Sequence, residues 1–216
     1  MFSYVRKECY NFLSTTWDEI PTSNAVQNLI QLSLKDKRPI NLAENSKLIL
    51  SVVDNVFWQM DQDRKTTELK QLQGLIWKKG FEDSILKGHV YDDVARNFEE
   101  WTTLGHKLYI YSSGSVAAQK LIFKYSIAGD LQKYISGYYD TTIGSKNSEQ
   151  SYLNILNDIG AKGDDVLFLS DMVSEVQAAQ NVGIQVIILD RKDSPPPYHD
   201  TRKSFKVLQS FDEINF

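Results

Sequence analysis

Three short stretches of this sequence carry oxygen and nitrogen groups in an order suited to phosphoryl transfer. The first is Ser112-Ser113-Gly114-Ser115, two hydroxyls followed by a glycine whose backbone can approach a ligand closely. Hydroxyls and N–H groups at the start of a helix make a ready phosphate site. The competing reading is that Ser112 and Ser113 only cap that helix. The second is Asp171 with Glu175 four residues later, about one helical turn, so that both carboxylates share a face. Oxygen ligands of this kind suit a hard cation such as Mg²⁺, which takes one or two protein carboxylates and completes its shell with water and phosphate oxygens. The plainer alternative makes Asp171 a helix N-cap and Glu175 a first-turn residue that offsets the helix dipole. The third is Lys146, in Gly144-Ser145-Lys146 just ahead of a helix. Its ammonium would neutralise developing phosphoryl charge and hold the carboxylates, unless it is one more solvated surface lysine. His89, His106 and His199 show no metal-ligand spacing and read as structural or surface residues.

Groups so far apart in sequence act together only if a scaffold gathers them. The apolar run Lys107 to Tyr111 predicts a strand, followed by a tight turn and a helix from Val116 to Tyr125. Val166 to Ser170 predicts a strand buried on both faces, Val173 to Asn181 a helix, and Gln185 to Leu189 another buried strand. Between them, Tyr152, Ile155, Leu156 and Ile159 mark a helix opened by the capping-box-like pair Asn147 and Gln150 and closed by Gly160. Alternating strands and helices imply a doubly wound parallel α/β sheet, and such sheets bind ligands at the carboxyl ends of their strands. The Ser112 and Asp171 stretches fall there, and Lys146 lies between them in the sequence. Residues from about 20 to 90 read differently, as helices: apolar positions from Leu48 to Met60, then Leu69, Leu72 and Ile76, recur at three- and four-residue steps. A further helix through Val94, Phe98 and Trp101 ends near Gly105. Pro195-Pro196-Pro197 stops regular structure ahead of a last strand near Ser204 to Leu208.

Bulk properties narrow the partners. A chain with 42% hydrophobic residues builds a core, and a net charge of −4 argues against a nucleic-acid footprint, leaving a small anionic substrate open. Cys9 is the single cysteine, which excludes an intramolecular disulfide framework and suits a reducing compartment. The first residues lack the apolar run of a secretory signal, and no stretch is long and apolar enough to span a membrane. The expected partners are therefore neither nucleic acid nor membrane.

The order strand-Ser-Ser-Gly, lysine before a helix, then strand-Asp with a glutamate four on resembles motifs II, III and IV of haloacid-dehalogenase-like phosphatases. Longer strings, Tyr109 to Leu121, Leu69 to Gly74 and Val166 to Asp171, resemble the eukaryotic enolase-phosphatases of methionine salvage, and the likeness runs from about Phe2 to Asp190. The resemblance implies a core of residues 1–19 and 91–216 with an inserted helical cap over residues 20–90. It implies a Mg²⁺ cofactor and a small phosphorylated diketone, 2,3-diketo-5-methylthiopentyl-1-phosphate, enolised and then hydrolysed to an acireductone and phosphate. It assigns Ser112, Ser113 and Lys146 to substrate phosphate, Lys146 also to catalysis, and Asp171 and Glu175 to the metal. Lys70, Gln71 and Gln73 become candidates for the diketone end. A monomer in the cytoplasm, and in the nucleus as well, completes the expectation. The family's first motif, Asp-x-Glu-Gly-Thr, which supplies the nucleophile, occurs nowhere in the sequence. Phe2 to Glu8 resembles the stretch that lies about ten residues past that motif in the family. The expectation is a chain that begins just after it and lacks the first, central strand between the Lys107 and Val166 strands. Two alternatives stand beside this reading: a catalytically dead module that binds a phosphate ligand, or a phosphatase of another small phosphometabolite.

Overall fold

The computed structural model describes residues 1–41, 45–191 and 204–216, with Asn45 and Ser46 described by backbone alone. The chain divides into two compact units, residues 1–88 and 89–216.

The first unit is helical. Helices α1 (Phe2–Thr16), α2 (Ile20–Lys35), α3 (Asn45–Asp61) and α4 (Thr67–Glu82) succeed one another. Pro21 sits in the first turn of α2, where its missing N–H costs nothing, and the Thr66 hydroxyl caps α4 by accepting the Leu69 N–H. On α1 the buried residues Val5, Cys9, Phe12, Leu13 and Thr16 keep helical spacing and form the face that packs on α3 and α4. Helix α1 groups with the helical unit, its apolar stripe finding its partners on α3 and α4. Burial pushes the Cys9 thiol up to about 12, which makes it a core residue and no nucleophile.

The second unit is α/β. It runs α5 (Val94–Thr103), β1 (Leu108–Tyr111), α6 (Val116–Lys124), β2 (Ile135–Tyr139), α7 (Glu149–Ile159), β3 (Leu167–Ser170), α8 (Val173–Gln180), β4 (Gln185–Leu189) and β5 (Val207–Leu208). All strand pairs are parallel, as the doubly wound pattern required. Strand β2 was not foreseen. Its Gly137 lies opposite Tyr109, where an added Cβ would stand 2.9 Å from the tyrosine ring. Two sheets form, β1-β2 and β3-β4-β5, and among the described residues β1 and β3 each pair along one edge only. The same two apolar clusters nevertheless serve both. Leu108 and Ile110 of β1 join Leu167 and Leu169 of β3 around Val94, Phe98, Trp101 and Ile187. On the opposite face Tyr111 joins Val166 and Phe168 around Tyr152, Leu156 and Ala179. Strand β3 was expected buried on both faces; Leu167, Phe168 and Leu169 are only half-buried, in keeping with an unpaired edge. The triple-proline run and His199 lie outside the described residues.

The C-terminal turn at Phe211–Glu213 is latched to α5. Buried Asp93 accepts from Arg191, the Ser210 hydroxyl and the Phe211 N–H, and Arg96 and Asn97 engage Asp212. Burial alone would raise the Asp93 carboxyl, but the Arg191 guanidinium and the two other donors outweigh it and the net shift is downward. The Arg96 guanidinium, helped by Asn97, holds Asp212 down to about 2 from an ordinary 3.8. A carboxyl depressed in the folded state contributes stability that is complete above its unfolded value and lost as pH falls through the folded one. Acid titration between about pH 4 and 2 is therefore expected to release this turn. The rings of Phe211 and Trp101, 5.0 Å apart, report it through tryptophan fluorescence. Asp212→Asn should flatten that titration, and an unchanged curve in the variant would show that the latch does not depend on this pair.

Candidate active site

The carboxyl ends of β1 and β3 carry the chemical residues. The chain leaves β1 at Tyr111 and turns through Ser112 to Ser115, with Ser112 N–H donating to the Tyr139 carbonyl at 3.1 Å. Ser112 Oγ accepts the Gly114 N–H at 3.2 Å, and the helix cap is Ser115, whose hydroxyl accepts the Ala118 N–H. Neither Ser112 nor Ser113 is thus the cap of α6, which removes the plainer explanation for both. Asp140, at the end of β2, accepts the Val116 N–H at 3.0 Å and fixes the same turn from the other side.

Lys146 sits on the loop before α7 and is only partly open to solvent. Its Nζ lies 2.6 Å from Glu175 Oε2, with side-chain exposures of 22% and 12%, and 5.8 Å from the centre of the Tyr111 ring. Its backbone carbonyl accepts from the Tyr152 hydroxyl at 2.7 Å. The Tyr111 hydroxyl donates to the Gly144 carbonyl at 2.8 Å, so the loop is tied to the strand that carries Ser112. Gly144 has φ of 136°, and a Cβ there would fall 2.1 Å from the Ser151 hydroxyl, which itself donates to the Ser145 carbonyl. Only glycine fits. Gly144→Ala should displace the loop and with it Lys146, lowering ligand affinity several-fold while the circular-dichroism spectrum stays native. Unaltered affinity would mean that the loop path does not govern the lysine.

After β3 come Ser170, Asp171 and, on α8, Glu175. The Ser170 hydroxyl donates to Glu175 Oε2 at 2.7 Å and accepts the Met172 N–H at 3.1 Å. Glu175, expected beside Asp171 as a metal ligand, is committed to Lys146 and Ser170 in this structure. Asp171 is exposed, it is not the N-cap of α8, and among the described residues no bond engages its carboxylate. Asn147 and Gln150 do not form the expected capping box: Ser148 holds the cap position, Asn147 Oδ1 accepts from Ser174, and Gln150 donates to Asn154. His106 stacks on Phe216 and His89 meets Tyr91 edge-on, both structural. In the helical unit Gln73 is buried and Gln71 accepts from Asn28, so of the three residues proposed for the diketone end Gln73 does not face solvent.

Among the described residues no three acidic, histidine or cysteine side chains form a ready metal cage. A Mg²⁺ ion demands less than that: one or two carboxylates, with water and phosphate oxygens for the rest. Asp171, exposed at the end of β3 and with no bond to its carboxylate among the described residues, fits that smaller demand.

The parallel α/β architecture that carries these residues has counterparts among known proteins. The chain belongs to the haloacid dehalogenase-like hydrolases, whose family model matches residues 10–183. Within that class it is similar to enolase-phosphatase E1 of Anopheles gambiae, 44% identical over 100% of this chain and 76% of that protein. It is 45% identical to enolase-phosphatase E1 of Aedes aegypti, of which the chain covers 20% of the length. The crystal structure of the UTR4 protein of Saccharomyces cerevisiae superposes with a TM-score of 0.76 at 32% identity, covering 99% of this chain and 90% of that one.

Proposed function

We propose that the chain serves a Mg²⁺-dependent enolase-phosphatase that converts 2,3-diketo-5-methylthiopentyl-1-phosphate, through its enol phosphate, to the acireductone and inorganic phosphate in methionine salvage. The observation that carries this is the Lys146–Glu175 ion pair, which joins the loop before α7 to the helix that follows β3 and Asp171, in a chain whose relatives bear that name. In this reading Ser112 and Ser113 hold the phosphate oxygens with the backbone of the turn. Lys146 offsets their charge as the ester bond breaks, and Glu175 keeps the ammonium in place. Asp171 would hold the cation, which when bound supplies Lewis-acid neutralisation of the phosphate. The helical unit is our counterpart of the family's cap, with Lys70 and Gln71 its candidate residues for the diketone. No Asp-x-Glu-Gly-Thr string, which supplies the nucleophile in the family, occurs in the sequence. A site of this chemistry takes a small soluble phosphate ester, and a cytoplasmic and nuclear monomer is the form we assign.

The test joins an Asp-x-Glu-Gly-Thr strand ahead of Met1 to give a motif-bearing protein. It is expected to release phosphate and acireductone from the diketone phosphate in Mg²⁺, whereas residues 1–216 alone bind the ester without turning it over. In Asp171→Ala the Mg²⁺ needed for half-maximal rate should rise by at least tenfold. Full rate at unchanged Mg²⁺ would take Asp171 out of the site, and turnover of other phosphometabolites in preference to the diketone would move the substrate assignment.

A further inference from the structure

Helix α6 carries one buried polar side chain that the proposed chemistry does not use. Gln119 is 3% exposed, and its Nε2 donates to the Gly114 carbonyl at 2.8 Å and to the Tyr139 carbonyl at 2.9 Å. Because both partners are carbonyls, the NH₂ end of the amide must face them. Its Oε1 is left buried with no partner among the described residues. Burying an acceptor in that way opposes stability, and an apolar residue of the same length would avoid it. The amide therefore has work that packing does not explain.

That work is legible in the turn. Peptide groups are planar and trans, so the C=O of one residue and the N–H of the next point in opposite directions. With the Gly114 carbonyl drawn onto Gln119, the Ser115 N–H points away from the α6 side chain that holds its neighbour, and among the described residues no bond engages it. The Tyr139 carbonyl takes the Ser112 N–H as well as Gln119, so one side chain clasps both ends of the hydroxyl turn to the end of β2. We infer that Gln119 is a positioning residue of the phosphate site, which fixes the Ser112–Ser115 turn so that the Ser115 N–H donates to a phosphate oxygen alongside the two serine hydroxyls. The inference rests on the reading of this turn as the phosphate cradle.

The probe is inorganic phosphate with Mg²⁺, titrated into the full chain and monitored by calorimetry and by amide nitrogen–proton NMR. In the native protein the Ser115 N–H resonance should move downfield at saturation. In Gln119→Met, which keeps the volume and removes both donors, the Kd should rise about tenfold and the Ser115 shift should shrink, with the melting midpoint near native. If phosphate binds and Ser112→Ala weakens it while the native Ser115 N–H stays put, the positioning role is wrong and the phosphate cradle stands. That arm needs only the native protein and Ser112→Ala, so it decides even if Gln119→Met does not fold. If phosphate does not bind, or binds equally well in Ser112→Ala, the cradle itself is wrong and this inference goes with it. A Gln119→Met variant that folds and binds phosphate as tightly as the native chain also overturns it.

Discussion

Lys146→Met is expected to lower turnover of the motif-bearing protein by about 10²–10³-fold, the loss that accompanies removal of one group aimed at developing charge in a dry site. The same change should destabilise the fold. Glu175 would keep its bond from Ser170 but lose the ammonium 2.6 Å away, with only 12% of its side chain open to water. Ion pairs in full solvent contribute about 0–1 kcal/mol, and breaking a fully buried one costs about 3–5 kcal/mol. This pair lies between those limits, which puts the cost at about 2 kcal/mol. The double variant Lys146→Met with Glu175→Gln separates the two effects. Neutralising the orphaned carboxylate should recover most of the stability in a denaturant titration and none of the rate. Recovery of rate would show that Lys146 acts only by satisfying Glu175. A single variant as active as the native protein would remove the lysine from the chemistry.

That pair also marks the limit of what residue spacing discloses. An interval of four residues places Asp171 and Glu175 on one side of a helix, but it says nothing of which partner claims each carboxylate. The claimant of Glu175 arrives from a loop 29 positions earlier in the chain (175 less 146), through a contact that only the tertiary structure creates. The capping residues failed for the same reason, since Asn147 is drawn off by Ser174 on another helix. Elements bounded by strong punctuation were legible. Strand β1 ends in Ser-Ser-Gly and α7 ends at Gly160, whose φ of 66° is the left-handed cap that glycine favours. Strand β2 was not, because Ser136 and Gly137 break its apolar run; the glycine answers a ring on the neighbouring strand instead of any local periodicity. Helix α1 had a readable stripe at Val5, Cys9 and Phe12, but a stripe names a face and not the unit that covers it.

Tyr152 is where the stability of the second unit and the geometry of its site meet, and its two truncations should part company. The ring is 2% exposed on α7 and meets Tyr111 of β1 edge-on at 5.7 Å and Phe168 of β3 edge-on at 5.1 Å. It thereby bridges two strands that, among the described residues, share no backbone hydrogen bond. Its hydroxyl donates to the Lys146 carbonyl at 2.7 Å, and burial pushes the phenol upward, so that it remains a protonated donor throughout the physiological range. Tyr152→Ala removes the bridge and should cost about 3–5 kcal/mol, a large part of the about 5–15 kcal/mol that holds a domain together. Tyr152→Phe keeps the ring and loses one bond, about 1 kcal/mol. Yet the Phe variant should lower turnover several-fold, because the carbonyl it releases belongs to Lys146, whose ammonium we propose as the phosphate's partner. Melting and rate measured on both variants decide the matter. If Tyr152→Phe loses rate only in proportion to the folded fraction, the hydroxyl has no part in placing Lys146. If Tyr152→Ala melts like the native protein, the strands β1 and β3 are held together by something other than this ring.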